Sequence, residues 1–161
     1  MTTIVRPADD QFDDVAFARL YAPTYLHHGF DDLDDPVRLA VIDEPAQGEE
    51  RGAFLLLHGE PSWSALYEHW IPALTDLGYR CVAPDLVGFG RSDKVTIDEW
   101  YSYERHVETV RSVIEQLELG DLHVVVQDWA GPIGLRQLVD MPERFARAFV
   151  FNTWLHHEGY E

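Results

Sequence analysis

The sequence predicts an α/β fold built on a mostly parallel sheet, and three observations predict it. Short apolar runs alternate with stretches of helical periodicity, the pattern of successive strand–helix units. The run "AFLLLH" (53–58) is continuously apolar up to its last residue, as expected of a strand buried on both faces. Loops rich in Gly, Pro and Asp leave the ends of these runs, and in such sheets binding groups gather at the carboxyl ends of the strands.

Residues 1–36 read as an irregular, acidic N-terminal segment draped over a body, with aromatics at Phe12, Phe17, Tyr21, Tyr25 and Phe30. "VRLAVIDE" (37–44) reads as a strand and "PAQGEERG" as a turn. "SALYEHWIPALTDLG" (64–78) places Leu66, Trp70, Ala73, Leu74 and Leu77 near helical spacing, with Gly78 as its stop and Pro72 as a possible kink. Strand "RCVAP", loop "DLVGFGRSDK" and helix "YERHVETVRSVIEQLEL", ended by Gly120, follow. Then come strand "LHVVVQ", helix "GPIGLRQLVD" and a last strand, "RAFVFNTW". No linker or repeat divides the chain, so residues 1–161 read as part of a single domain.

The formal net charge is −17, which repels phosphate backbones and anionic membrane surfaces; neither nucleic acid nor a membrane is an expected partner. Two readings of this acidic surface stand: an ordinary solvated face, or adaptation to a high-salt interior. The single cysteine, Cys81, allows no disulfide within the chain and fits a reducing cytoplasm, with the thiol read as a small core residue. "MTTIVRPADD" lacks the order of a signal peptide, and no apolar run approaches membrane length.

Three loops leave strand ends: "HGEPSWS", "PDLVGFGRSD" and "QDWAG". The third has the form of a nucleophile elbow, a sharp strand–turn–helix with the reactive residue at its apex. Asp128 holds the apex, Ala130 and Gly131 let the turn close, and Pro132 lies in the first helical turn. A carboxylate is ionised at neutral pH and needs no base to activate it. It displaces a good leaving group from saturated carbon to form an ester, which water opens given a base and an oxyanion hole. The bland alternative for Asp128 is a helix N-cap. Trp129, read otherwise as core packing, has a backbone N–H at a helix N-terminus, suited to an oxyanion.

"HGEPSW", "APDLVGFGRSDK" and "VVQDWAG" together resemble the haloalkane dehalogenases of the α/β-hydrolase fold, from about "APTYL" (22–26) onward. The resemblance implies roles: Asp128 as nucleophile, Trp129 as a halide donor through its indole, and the backbone N–H groups of Glu60 and Trp129 as the oxyanion hole. His58, Gly59 and Pro61 shape the first loop. Substrate would be a small halogenated aliphatic with water, and no metal or organic cofactor is implied. Epoxide hydrolases share the "HG-x-P" loop and often the Asp-Trp elbow; Gln127 stands where they commonly carry His.

The resemblance also implies an absence. The family's sheet continues past this sheet's sixth strand into a helical cap and the strands carrying the general-base His and its acid. The chain therefore reads as the N-terminal half, truncated after about strand six and lacking the cap. Asn152 stands near one place for the acid and cannot be a base. Without that His the chain is expected to stop at a trapped ester, and its last strand is an unpaired edge open to self-association.

Among the remaining motifs, "GFGRSD" lacks the third glycine of a dinucleotide loop; Gly88 and Gly90 read as a tight turn, with Asp85 bonding its backbone. Trp63 and Trp154 read as packing residues. The pairs His27–His28 and His156–His157 have no ligand spacing for a metal, and His69, His106 and His123 read as surface or helix-face residues.

Overall fold

The computed structural model describes residues 3–154. In chain order its elements are β1 (Ile4–Val5), α1 (Ala16–Leu20), β2 (Thr24–His28), β3 (Val37–Glu44), β4 (Ala53–Leu57), α2 (Trp70–Asp76), β5 (Arg80–Pro84), β6 (Lys94–Val95), α3 (Tyr103–Gln116), β7 (Leu122–Val126), α4 (Ala130–Asp140) and β8 (Phe145–Val150). A six-stranded sheet runs β2-β3-β5-β4-β7-β8, while β1 and β6 pair as a separate ribbon.

The pairings of β5, β4, β7 and β8 are parallel, as the alternating pattern predicts. The strand "VRLAVIDE" departs from it, for β3 is antiparallel to both β2 and β5. The connection of residues 45–52 explains this, because it holds no helix and is too short for a parallel crossover.

Side chains alternate across the sheet. On β4, Leu55 and Leu57 face the core under α3 and α4, with Val110, Ile114 and Ile133. Phe54 and Leu56 face the other core, with Tyr67, Ile71 and Phe17. The two central strands, β4 and β7, are buried along their whole length.

The N-terminal segment corrects the sequence reading. Residues 1–36 are not irregular throughout: Thr24–His28 form the outermost strand of the main sheet, with Tyr25 opposite Ala40. Phe17 on α1 is 2% exposed and packs on Trp63, so the segment is anchored as well as draped. The stretch 64–78 is also corrected. It divides into a 3-10 turn, Ser64–Tyr67, and the short helix α2, and it buries Tyr67, Ile71 and Thr75. Leu66, Trp70 and Leu77 of the expected face are exposed. Tyr67 fixes this rotation, because its hydroxyl donates to the Leu57 carbonyl at 2.6 Å and holds that face against the sheet. Pro72 lies in the first turn of α2, where its missing N–H costs nothing. The last strand starts and ends earlier than "RAFVFNTW" predicts, and its outer edge has no partner strand among the described residues.

Candidate active site

The turn between β7 and α4 places Asp128 at φ +51°, in the left-handed region. That conformation costs roughly 1 kcal/mol or more for a residue with a Cβ, so the surroundings must enforce it. Asp128 N–H donates to the Asn152 carbonyl at 2.9 Å. The Asp128 carbonyl accepts from Thr153 Oγ1 at 2.6 Å and from Gly131 N–H at 3.0 Å. A Cβ at Gly131 would overlap the Thr153 side chain, which is why a residue without one stands there.

The carboxylate does not cap α4. Trp129 takes the cap position, and Asp128 Oδ1 accepts instead from the backbone N–H of Glu60 at 2.9 Å. The tip of β4 and the tip of β7 thus meet, and a Cβ at Gly59 would overlap the Asp128 side chain. Oδ1 is held by a backbone donor, and no hydrogen bond to Oδ2 is present among the described residues. Trp129 is 43% exposed, its ring edge-to-face with Trp154 at 5.2 Å. Its N–H belongs to the first turn of α4, where helix donors lack intrahelical partners. Pro61, after a cis peptide, completes the loop.

His58 is fully buried, and both its ring nitrogens are engaged. Nε2 takes the backbone N–H of Leu86 at 2.9 Å, and Nδ1 lies 2.9 Å from the Gly59 carbonyl. Burial pushes the imidazole's pKa down, against the opposing pull of the Gly59 carbonyl and Asp85. Asp85 does bond the turn backbone, accepting from Arg91 N–H at 2.8 Å, and it also reaches Ser64 N–H at 2.9 Å. Gly88 and Gly90 take positive φ in that turn. One buried carboxylate therefore ties the loops after β4 and β5 together.

An apolar pocket of about 180 Å³ opens where the Gly59–Glu60 loop meets Trp129 of the elbow, walled also by Phe89, Tyr101, His106 and Ile133. His106 is thus no plain surface residue. Burial, with His58 nearby, pushes its pKa down to about 4, and its Nδ1 is buried without a partner. The signal was in the sequence: His106 lies three residues from Tyr103 and four from Val110, along the buried side of its helix. His123 is likewise 5% exposed, stacked on Phe54. His69 is exposed as expected. His28 pairs with Glu108, and His156–His157 lie outside the described residues. Cys81 is buried, with burial and Glu44 pushing its thiol up to about 12. Among the described residues no helix is long and apolar enough to cross a membrane.

This sheet order, with an acidic residue on a left-handed elbow facing a backbone donor, is matched by sequence: residues 52–160 fit the model of the alpha/beta hydrolase fold, and the chain belongs to that family. Within it the chain is similar to haloalkane dehalogenases. It is 43% identical to one from Psychrobacter cryohalolentis over 94% of this chain and 49% of that protein. It is 50% identical to one from Mycolicibacterium paratuberculosis over 74% of this chain and 39% of that protein. Among solved structures, a haloalkane dehalogenase from Paraglaciecola agarilytica, described as tetrameric, superimposes with a TM-score of 0.83 at 39% identity. That match covers 96% of this chain and 50% of the other. The chain spans about half the length of these relatives or less.

Proposed function

We propose that residues 1–161 are the N-terminal part of a single α/β-hydrolase domain and carry the nucleophile half of a hydrolytic haloalkane dehalogenase. The observation that carries this reading is the Asp128 carboxylate on its elbow, with Oδ1 on the Glu60 N–H at 2.9 Å and the apolar pocket alongside. Oδ2 attacks the halogen-bearing carbon; the C–O bond forms as the carbon–halogen bond breaks. Halide leaves beside the Trp129 indole. Water then attacks the ester carbon, and the developing charge on Oδ1 falls to the Glu60 and Trp129 N–H groups. The alcohol leaves and the carboxylate is regenerated.

That second step needs a base. Among the described residues His58 has both ring nitrogens occupied, burial lowers the basicity of His106 to a pKa of about 4, and Asn152 has no basic side chain. The base and its acid fall to the part of the relatives that this chain does not span. Identities of 43–50% to dehalogenases, with Gln127 before the nucleophile, favour haloalkane over epoxide as substrate.

Incubating the chain with 1-bromobutane and following intact mass and halide tests the reading. The expected result is one equivalent of halide and a butyl ester mapped to Asp128, absent in Asp128→Asn. Sustained halide release would refute the missing base. No adduct at Asp128, or one formed only with an epoxide, would refute the nucleophile assignment or the substrate class.

A further inference from the structure

We propose that His58 is a positioning residue whose ring locks the Gly59–Glu60 peptide with its N–H turned toward Asp128. The inference deepens the reading of Asp128 as nucleophile and rests on it for its kinetic consequence alone. The Gly59 carbonyl and the Glu60 N–H belong to one trans peptide unit, so they point in opposite directions. On one side the carbonyl lies 2.9 Å from His58 Nδ1; on the other the N–H donates to Asp128 Oδ1 at 2.9 Å. Holding the carbonyl therefore aims the donor.

The heavy atoms also fix the tautomer. Leu86 N–H can only donate, so Nε2 must be the acceptor and Nδ1 must carry the proton. A continuous relay results: Leu86 N–H to Nε2, Nδ1–H to Gly59 carbonyl, Glu60 N–H to Asp128. Each bond polarises the next. A second proton on the ring sets Nε2–H against Leu86 N–H, so the ring must turn and the carbonyl is released. A flipped peptide would then present its oxygen to the Asp128 carboxylate.

The groups facing His58 act against and for that proton. Asp85, at the end of β5, attracts it; His106, from α3, shares a mutual repulsion with it; the Asp128 carboxylate lies beyond the Gly59 peptide. Arg91 in the same turn and Lys94 at the start of β6 offset Asp85.

NMR on the 161-residue chain tests the lock. Two-bond proton–nitrogen spectra should show His58 as the Nδ1–H tautomer at neutral pH. On acidification the Glu60 amide should move in the same transition as the His58 ring, while the Val125 amide in the sheet does not. In His58→Phe the Glu60 amide should lose its response to Asp128→Asn, and alkylation of Asp128 by 1-bromobutane should slow about a hundredfold, because a carboxylate no longer held at Oδ1 does not keep Oδ2 in line with the substrate carbon. An Nε2–H tautomer, or a Glu60 amide indifferent to both His58 protonation and His58→Phe, overturns the proposal. Should His58→Phe fail to fold, the tautomer and titration of the unmodified chain still decide it. A Glu60 amide that tracks His58 in a chain whose Asp128 never alkylates refutes the nucleophile and leaves the lock standing.

Discussion

His106 gives the fold a specific sensitivity to acid. In the unfolded chain a histidine titrates near its ordinary value of 6.5, but in the fold burial and His58 push this one down to about 4. Between those values the unfolded state binds a proton that the folded state refuses, so stability is present above the unfolded pKa and lost as pH falls. The slope approaches about 1.4 kcal/mol per pH unit, and the whole window amounts to roughly 3 kcal/mol. That is a large share of the 5–15 kcal/mol typical of a domain. His58 is depressed in the same direction by its burial and adds to the loss. The assay is urea unfolding followed by tryptophan fluorescence from pH 7.5 to pH 4, comparing the chain with His106→Phe. The variant cannot titrate at this position, so its curve should lose stability less steeply than the parent's, the two diverging below about pH 6.5. Comparing slopes cancels the titration of the acidic surface, which both proteins share. Parallel curves would refute the argument.

Two further outcomes follow from buried charge and from the open edge. Asp85→Ala should destabilise the chain by about 3–5 kcal/mol, because it strips Arg91 of its nearest carboxylate and leaves the Ser64 and Arg91 N–H groups without acceptors; a loss of unfolding free energy from urea titration under a third of that would refute the tie between the two loops. Self-association through the β8 edge would be weakened by Val150→Lys, since Val150 is 48% exposed there and a charge opposes strand pairing; association by light scattering that the substitution leaves unchanged would refute pairing through this edge.

Most of the sheet was legible from local pattern. Continuous apolar runs gave β4 and β7, and the small residues after Asp128 marked the elbow, because a turn that tight leaves no room for side chains. The polar, acidic stretch hid β2, whose pairing with β3 depends on a partner rather than on its own composition. The rotation of the 64–78 stretch was misread because periodicity names a stripe without naming the contact that fixes it, here Tyr67 to Leu57. His123 was misread, because burial of a polar side chain is set by what covers it; His106 does lie on a helix face, but on the side turned to the pocket rather than to the surface.

By itself, then, the sequence determined the order of the main-sheet strands and their helices from β3 onward, the elbow and the resemblance carried by three short motifs, all of which are local in the chain. Only the tertiary structure decided that Glu60 N–H meets a carboxylate sixty-eight residues away, that His58 must carry its proton on Nδ1, and that a second imidazole lies neutral behind them. Those facts arise where separate strand ends converge, and spacing along the chain does not encode which distant groups the packing brings within a hydrogen bond of each other.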